Sequence, residues 1–477
     1  MKSLILKLHK QIIQGDTTIT QIINDAILKC KKHDITASLI TDNYQTAQKK
    51  AQELQEHISL HKDDLLYGIP YVLKDNVCTK NLRTTAGSAF LSDFIPPYNA
   101  TIYELFNANH AVLIAKSNMD EFGMGGSGIH SAYGIVKNIH DHNFTVGGSS
   151  SGSVNLVANQ VVPFAIGSDT GDSSRRPASF TNTTGYKPTY GLISRYGMMP
   201  YAPSLDHVGI IASFVADIAI VAQAIVKFDE KDFTSQKVKN NNFFNNLKQV
   251  DKLTIGVISG IEKYLQPEIA SAYTECLKKL KEHKFVIKPI EIKNEHLVAI
   301  KTIYSIISYA EANSCWANLT GLVFGNRSPG KDFEDMITLS RTQKLGDQVK
   351  RRFVIGAYVT KKENYVKYFI RAQKIRQLLV NEWNQCLKAV DTVLLPSASS
   401  KPPLLSDILN DNFKSTVADD ILCLSNFAGS PSITIPYTQT NKKLLWGINL
   451  NCEQFADQQL LNIAYTLETF FDGNKDE

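Results

Sequence analysis

Two serine- and glycine-rich loops flank a short apolar segment in GGSSSGSVNLVANQVVPFAIGSDTGDSSRRP, residues 147–177. The apolar residues after Ser153 predict a helix over 153–160, and the run 161–166 predicts an interior strand, in which Pro163 is unfavourable. Glycines in both loops allow the backbone to approach a ligand or another segment closely. A compact helix–strand unit can therefore hold two hydroxyl-bearing loops side by side, which is one way to place a nucleophile beside its proton relay.

Helices and strands alternate through most of the remaining chain. Strands are predicted at 68–77, 111–115, 253–259, 285–292 and 390–397. Helices are predicted at 18–31, where Thr18 and Gln21 form a capping box, and at 43–57, 100–109, 216–227, 269–282, 298–319, 363–387 and 457–471, whereas 183–212 is rich in turn residues and is given no strand. This order predicts an α/β fold with a central mixed β-sheet covered by helices on both faces. We expect a single large domain over residues 1–477, because no linker-like segment interrupts the pattern.

Composition excludes several classes of protein. The net charge of +5 is spread along 477 residues and is too mild for an independent nucleic-acid binder. Seven scattered cysteines without a CxxC pair argue against a metal cluster or a disulfide framework and fit a reducing cytoplasm. No apolar window is long enough to span a membrane, and the N-terminal segment does not have the pattern of a signal peptide. We therefore expect a cytoplasmic protein.

The apolar strand at 68–77 ends at Lys74, which is an unusual position for a lysine. One interpretation is a side chain that extends along the protein surface to water. The other is a desolvated lysine that is neutral enough to accept a proton. The strand alone favours the first interpretation, since most lysines are solvated.

The serine-rich loop matches other chemical motifs only weakly. Gly148–Gly152 fits the G-x-S-x-G pattern with Ser150 as nucleophile, but the segment before it is loop-like, whereas a nucleophile elbow follows a strand. The loop lacks the Gly-Lys-Ser/Thr ending of a phosphate-binding loop. No spacing of histidine, cysteine and acidic residues indicates a metal site, and none is expected.

Several motifs occur together in fixed order: LKDN at 73–76, MDEFGMG at 119–125, GGSSSGS at 147–153, GSDTGDSSRRP at 167–177, GYKPTYG at 185–191 and SLDHVG at 204–209. This set resembles the amidase signature family over nearly the whole chain. Within it, the chain is most similar to the glutaminase subunits of tRNA-dependent amidotransferases. The resemblance implies the amidase signature fold, with a core at about 65–215 and a C-terminal part at about 250–477 that completes the substrate pocket.

By this resemblance, Lys74 is the catalytic lysine and Ser173 is the nucleophile. Ser149 is the relay serine, which follows the glycine pair and is held by a cis peptide bond. The oxyanion hole falls on the backbone of Thr170, Gly171 and Asp172, with the N–H of Ser173. The chemistry agrees, because a serine hydroxyl needs a base before it can attack, and a buried neutral lysine can act as that base.

The resemblance also implies how glutamine is bound. A site for its α-carboxylate and α-ammonium groups should offer one cation and one anion, because buried charges require partners. The carboxylate partner falls on Arg352, with Arg351 as the fallback. The ammonium partner falls on Asp420, and Tyr304 lines the pocket. Without the resemblance, Arg352 is interpreted as a surface arginine and Asp420 as a helix-capping residue.

Asp172 and Ser151 depart from the family pattern, since both replace glycines. An anion beside the oxyanion hole would oppose the charge that develops there, so we expect the Asp172 side chain to turn towards Arg175 or Arg176. Aspartate also tolerates left-handed backbone angles better than most residues. These departures affect the expected rate and loop geometry more than the reaction class.

The partners that the resemblance implies are the B and C subunits of a heterotrimeric amidotransferase. The B subunit would bind ATP, magnesium and Glu-tRNA(Gln) and receive the ammonia, and this chain would bind no cofactor. Two alternatives stay open. A stand-alone amidase would act on a small amide without partners and without Arg352 or Asp420. A silent scaffold protein would hold a partner but would not react at Ser173.

Overall fold

One mixed sheet organises the computed structural model, which describes residues 1–32, 36–238, 241–283, 285–437 and 445–473. Eleven strands in these ranges pair in the order β1-β3-β2-β4-β6-β5-β10-β11-β9-β7-β8. The strands are β1 (Leu39–Asp42), β2 (Pro70–Lys74), β3 (Val112–Ser117), β4 (Phe164–Asp169), β5 (Thr184–Lys187), β6 (His207–Ala212), β7 (Thr254–Ile258), β8 (Val286–Ile290), β9 (Thr392–Pro396), β10 (Ser432–Pro436) and β11 (Gly447–Asn451). The neighbours β3, β2 and β4 run parallel, as do β9, β7 and β8, and the other pairs are antiparallel.

Helices connect most of these strands. The α-helices are α1 (Leu4–Gln14), α2 (Ile19–Lys32), α3 (Tyr44–Gln55), α4 (Thr101–Ala108), α5 (Ser151–Ala158), α6 (Arg176–Phe180), α7 (Val215–Ile225), α8 (Pro267–Glu282), α9 (Asn294–Cys315), α10 (Phe333–Lys344), α11 (Asp347–Thr360), α12 (Lys362–Tyr365), α13 (Arg371–Lys388), α14 (Leu405–Leu409), α15 (Val417–Asp420), α16 (Cys423–Ala428) and α17 (Asp457–Gly473). A π-helical segment, Val366–Ile370, interrupts the helix predicted at 363–387. Short 3₁₀ segments lie at Ile58–Leu60, Ala89–Leu91, Glu121–Gly123 and Ile261–Tyr264.

The central helix–strand unit is present, but its strand was predicted three residues too early. The strand is β4, Phe164–Asp169, and not 161–166. Pro163 has no N–H group to donate to a neighbouring strand, so the ladder begins after it. The shift has a consequence for the site, because Ser168 and Asp169 end the strand and the second serine loop begins directly at its carboxyl end.

Two strands were missed in the turn-rich segment 183–212. β5 has only four residues, and the glycine within it at position 185 and the following Pro188 hide it from pattern analysis. β6 is apolar and wholly buried, yet the turn residues before it dominated the prediction. These strands join the two halves of the sheet, since β6 pairs with β4 and β5 pairs with β10.

Both faces of the sheet are covered near its centre. Every residue of β2, β3, β4 and β6 is buried. Because successive side chains on a strand point to opposite faces, full burial means that neither face meets solvent. The predicted α/β fold with a covered mixed sheet is thus confirmed. In the described part of the chain, no helix combines the length and apolar character needed to cross a bilayer.

The parallel pairing of β2 and β4 places the two chemically important segments together. Leu73 on β2 pairs with Ile166 on β4, and both strands run in the same direction. The carboxyl ends of parallel neighbours meet at one edge of a sheet, where ligands bind in open α/β folds. Lys74, at the end of β2, therefore lies beside the loop that follows β4.

Candidate active site

The Lys74 amine is buried among serine hydroxyls. Its side chain has no exposed surface, and Nζ lies 2.6 Å from Oγ of Ser149, 2.8 Å from Oγ of Ser168 and 3.1 Å from Oγ of Ser150. Burial lowers the pKa of Lys74 to about 7, against the opposing effect of Asp120 and two other buried carboxylates. The interpretation of Lys74 as a solvated lysine is wrong, and a large fraction of the amine is neutral near pH 7.

The partner of Ser150 sets the direction of its hydrogen bond with Lys74, and the partners of Ser168 allow that hydroxyl to accept as well. Ser150 Oγ donates to the carbonyl oxygen of Ser168 at 3.1 Å, so it can only accept from Lys74. Ser168 Oγ accepts from Asn76 Nδ2 at 3.2 Å and also accepts from the amine. A neutral amine has two N–H donors and one lone pair. Once both donors are directed to Ser150 and Ser168, the lone pair remains for Ser149, the nearest hydroxyl.

Asp120 holds the backbone around Ser149. The peptide bond between Gly148 and Ser149 is cis. Asp120 N–H donates to the Ser149 carbonyl at 3.3 Å, while the Asp120 carboxylate accepts the N–H groups of Gly128 and His130 at 3.2 and 3.0 Å. A Cβ atom at position 148 would lie 2.1 Å from Asp120 Oδ2, so the close approach requires a glycine there.

The loop that carries Ser173 touches the Ser149 loop through its backbone. The N–H of Ser150 donates to the carbonyl oxygen of Ser173 at 3.1 Å. Ser173 is buried except for 6% of its surface. Within the described residues its hydroxyl donates to no acceptor and accepts from no donor, and it remains available for reaction.

Arg175 anchors the Ser173 loop from behind. Its guanidinium forms a two-point ion pair with Asp169, at 3.0 and 2.9 Å, and donates to the carbonyl oxygen of Gly171 at 2.7 Å. It also reaches Leu422 O, Ser425 Oγ, Asn426 Oδ1 and Ser432 Oγ in the C-terminal half. Burial alone would raise the pKa of Asp169, but the Arg175 charge and hydrogen bonds hold it below its ordinary value.

Backbone N–H groups in this loop have no acceptor. Across the ranges that the structure describes, the N–H groups of residues 170–173 form no hydrogen bond, whereas the Ser174 N–H donates to Asp169 at 3.1 Å. Thr170 is held through its side chain, which donates to Asp206 at 2.7 Å. Free N–H groups beside a nucleophile are the arrangement that an oxyanion hole requires.

The Asp172 side chain turns away from these N–H groups. It forms an ion pair with Arg176, four residues later. One of the two arginines expected to partner Asp172 is thus the observed partner, while Arg175 is engaged by Asp169. The other departure, Ser151, is the first residue of α5, and its buried hydroxyl contacts no hydrogen-bonding group among the described residues.

Arg352 is buried and has no carboxylate partner in the described part of the chain. Its Nη1 donates to the Tyr201 hydroxyl at 2.6 Å, and its guanidinium stacks near the rings of Tyr201 and Tyr309, at 5.3 and 5.1 Å from their centroids. Its Nε is buried without an acceptor. The neighbouring Arg351 is exposed. The geometry therefore favours Arg352 over Arg351 as the group that receives an anion.

Asp419 and Asp420 are adjacent but have different surroundings. Asp419 forms the capping box of α15 with Thr416 and also accepts from Ser399. Asp420 accepts no hydrogen bond from the described residues. Burial raises its pKa to about 6, and the nearby charges of Lys301 and Arg176 limit the rise. The helix-capping role considered for Asp420 belongs to Asp419, which leaves the Asp420 carboxylate available.

Tyr304 packs directly against the Ser173 loop. A Cβ atom at Gly171 would lie 3.0 Å from the Tyr304 ring and 3.1 Å from Cys423 Sγ, so the ring covers the loop at the position of the glycine. A cavity of about 250 Å³ opens nearby, lined by Arg352, Arg176 and residues of the 125–127 loop among others. Of the predicted binding residues, Tyr304 thus contacts the Ser173 loop and Arg352 lines this cavity, whereas Asp420 is not among the lining residues.

Sequence reasoning missed four groups at this site: Ser168, Asn76, Tyr201 and the hydrogen-bonding role of Ser150. Ser150 was considered only as a nucleophile in a G-x-S-x-G motif, whereas here its hydroxyl bonds Lys74. The sequence offered a signal for two of these groups. Asn76 lies two residues after Lys74, and Ser168 lies at the end of β4. Reading that signal needed the correct end of β4, which the prediction placed too early.

Residues 21–461 match the family model described as Amidase. The chain belongs to the amidase family. The A subunit of glutamyl-tRNA(Gln) amidotransferase from Mycoplasma genitalium is 44% identical over 484 residues, covering 100% of both chains, and that from Mycoplasma pneumoniae is 41% identical over the same extent. The predicted resemblance is confirmed.

Solved structures of other amidase-family members agree with the fold. The A subunit of glutamyl-tRNA(Gln) amidotransferase from Thermotoga maritima is 31% identical, with a TM-score of 0.70 over 84% of this chain and 83% of that chain. Peptide amidase of Stenotrophomonas maltophilia is 22% identical, with a TM-score of 0.82 over 98% of this chain and 97% of that chain. The second likeness supports the amidase fold alone.

Proposed function

We propose that this amidase-family chain is the glutaminase subunit of a tRNA-dependent amidotransferase, which converts Glu-tRNA(Gln) to Gln-tRNA(Gln). The observation that carries the proposal is a pair of unpartnered charges near the serine loops. Arg352 is buried without a carboxylate, and Asp420 is partly buried without a hydrogen-bond donor, among the residues that the structure describes. An α-amino acid offers one carboxylate and one ammonium group, which match these two residues. The names of full-length relatives support the same function.

The residues support a two-step reaction. Ser149 accepts the Ser173 proton as it passes its own proton to the Lys74 lone pair, and Ser173 Oγ attacks the side-chain amide carbon of glutamine. Backbone N–H groups of Thr170, Gly171, Asp172 and Ser173 receive the oxyanion, and losing one such donor typically costs about 3 kcal/mol of transition-state stabilisation. The proton returns through Ser149 to the leaving nitrogen, the C–N bond breaks, and ammonia departs. Water then attacks the acyl-enzyme by the same proton path and releases glutamate.

The ammonia would be used outside this chain. The B and C subunits complete the proposed heterotrimer, and the B subunit binds ATP, magnesium and most of the Glu-tRNA(Gln). This chain supplies no cofactor site to the reaction, since serine, lysine and backbone groups are sufficient for amide hydrolysis. The mild net charge of +5 supports tRNA binding mainly on another protein of the complex. A cytoplasmic location follows from this role in translation.

Glutamine-dependent amidation by the assembled complex tests the function. The complex with the B and C subunits is given glutamine, ATP, magnesium and Glu-tRNA(Gln), and both Gln-tRNA(Gln) and free glutamate are measured. We expect the two products in equal amounts. Rapid hydrolysis of simple amides such as propionamide by the isolated chain, with no glutamine hydrolysis by the complex, would instead establish the stand-alone amidase.

Replacing Arg352 with alanine is expected to raise KM for glutamine by about 10- to 100-fold, because a hydrogen-bonded charge pair contributes about 1.5–3 kcal/mol. The KM of the complex is measured by glutamate release at saturating Glu-tRNA(Gln). Arg351→Ala is the matched control, since it removes an exposed arginine from the preceding position, and its KM is expected to stay within about twofold of the parental value. The assignment is wrong if the two variants have the same KM.

The pH dependence should report the ionisation of Lys74. The neutral amine is the active base, so kcat/KM is expected to rise with pH as the lysine loses its proton, with the midpoint near its pKa of about 7. Below that midpoint the rate should fall about tenfold per pH unit, and more steeply below about pH 6, where Asp420 also becomes protonated. The profile is measured between roughly pH 5.5 and 8.5, which spans the midpoint on both sides. A rate that does not change with pH on the acidic side of the midpoint would contradict a neutral lysine base.

A further inference from the structure

A buried carboxylate links the serine loops to the helix that carries Arg352. Glu121 follows Asp120 in the chain and is almost completely buried. Its Oε2 accepts the N–H of Gly346 at 2.8 Å, and its Oε1 accepts from the Ser88 hydroxyl. Gly346 is the residue before α11 and has no side chain that could cap the helix. Glu121 thus supplies, from a distant segment, the acceptor that the first turn of α11 lacks.

The contact at Gly346 is close and specific. The backbone at this residue is extended, with φ −69° and ψ 158°, which any residue can adopt. A Cβ atom there would nevertheless lie 2.5 Å from Glu121 Oε2. A larger residue at this position would therefore displace the Glu121 carboxylate, so the contact, and not the backbone angles, favours glycine.

The two ends of this link reach different parts of the site. The neighbouring Asp120 bonds the Ser149 carbonyl through its N–H and holds the 128–130 loop through its carboxylate. On the other side, Arg352 lies less than two turns along α11 from the residue that Glu121 caps. One dipeptide, Asp120–Glu121, thus joins the relay serine to the helix that presents the guanidinium.

The geometry points to Glu121 as a positioning residue for glutamine binding, which sets the distance between Arg352 and the serine loops by fixing the start of α11. The inference rests on the proposed function. Glu121 does not touch the reacting atoms; it acts through Gly346 and the helix. Its effect is therefore expected on the binding of glutamine and not on the chemical step.

Glu121→Ala removes the link, and we expect KM for glutamine to rise about tenfold with kcat within about twofold, since small displacements of a substrate-positioning group are costly. Gly346→Ala tests the same contact from the other side, because its Cβ displaces the carboxylate while Glu121 remains. A raised KM is expected there as well. Glu121→Gln should restore KM to near the parental value, because its amide oxygen can accept from Gly346 and its amide nitrogen can donate to Ser88. Burial raises the pKa of Glu121 to about 7, so an uncharged isostere suits the site.

Asp217→Ala is the matched control. Asp217 is also a buried carboxylate that caps a helix from a distant segment, accepting the N–H groups of Leu4 and Ile5 at 3.0 Å each, at the start of α1. Its loss is expected to lower the thermal midpoint without changing KM. The measurements are glutamate release by the complex and thermal unfolding of each variant.

Two results would overturn the inference. One is an unchanged KM in both Glu121→Ala and Gly346→Ala. The other is a rise in KM of the same size in Asp217→Ala, which would show that KM follows thermal stability alone. A parental complex that releases no glutamate from glutamine would contradict the proposed function instead, and the two failures are thereby distinguished.

Discussion

Replacing Ser173 with alanine is expected to lower kcat for glutamine hydrolysis by about 10⁴- to 10⁶-fold, the loss typical of removing a serine nucleophile. Without the hydroxyl no acyl-enzyme can form, although the free N–H groups of the loop and the binding charges remain. Glutamate release by the complex measures the loss. Amidation of Glu-tRNA(Gln) with added ammonium chloride should persist, because that step does not use Ser173.

Ser151→Ala is the matched control for this variant. Its hydroxyl is buried close in sequence to the relay serine, but it makes no hydrogen bond within the described residues. We expect glutamine hydrolysis within about twofold of the parental rate and no loss of thermal stability, since a buried unsatisfied hydroxyl does not stabilise the fold. Glutamate formation at the parental rate in Ser173→Ala would refute the nucleophile assignment.

Replacing Lys74 with methionine is expected to lower kcat by about 10²- to 10⁴-fold, the usual contribution of a positioned general base. Methionine keeps the length and apolar stem of the side chain but removes the lone pair that receives the Ser149 proton. The inflection near the pKa of the lysine should disappear from the residual activity. The measurement is glutamate release across the same pH range, with circular dichroism to show that the fold is retained.

Lys116→Met provides the comparison for Lys74. Lys116 is a wholly buried lysine on the adjacent parallel strand, and it bonds Val77 O, Thr79 and Thr84 away from the serines. Its replacement is expected to lower thermal stability, because three polar partners lose a donor. The kcat of the folded enzyme should stay close to the parental value. Equal activity losses in the two lysine variants would show that Lys74 acts only structurally.

Local sequence patterns predicted the features of the fold that depend on neighbouring residues, such as helix caps. The capping box of α2 is present as predicted, with Thr18 and Gln21 each accepting a backbone N–H group from the other. The boundary of β4 was wrong because a single proline outweighs the apolar run around it. β5 and β6 were missed because they are stabilised by pairing with β4 and β10, which are distant in sequence.

In the candidate site, too, some residues could be predicted from the local sequence, whereas their partners required the fold. Lys74 could be found as an anomaly in its strand, but its three hydroxyl partners come from β4 and the loop before α5 and required the fold. The contact of Asp419 with Ser399 required the fold, whereas the capping box of Thr416 and Asp419 was a local signal that the sequence analysis missed. Roles for Ser173, Arg352 and Asp420 came from the family motifs, because an exposed arginine or a capping aspartate is the commoner local explanation.

The Arg175 contacts have a consequence for biosynthesis. This guanidinium holds the nucleophile loop by bonding groups up to 257 residues further along the chain. A ribosome that has synthesised only the first half has already made Asp169 and Gly171 but not Ser425 or Ser432, so the emerging polypeptide carries an arginine that lacks its C-terminal acceptors. The contacts that hold the Ser173 loop are therefore completed only near the end of translation, and we expect a product that ends before Leu422 to be inactive.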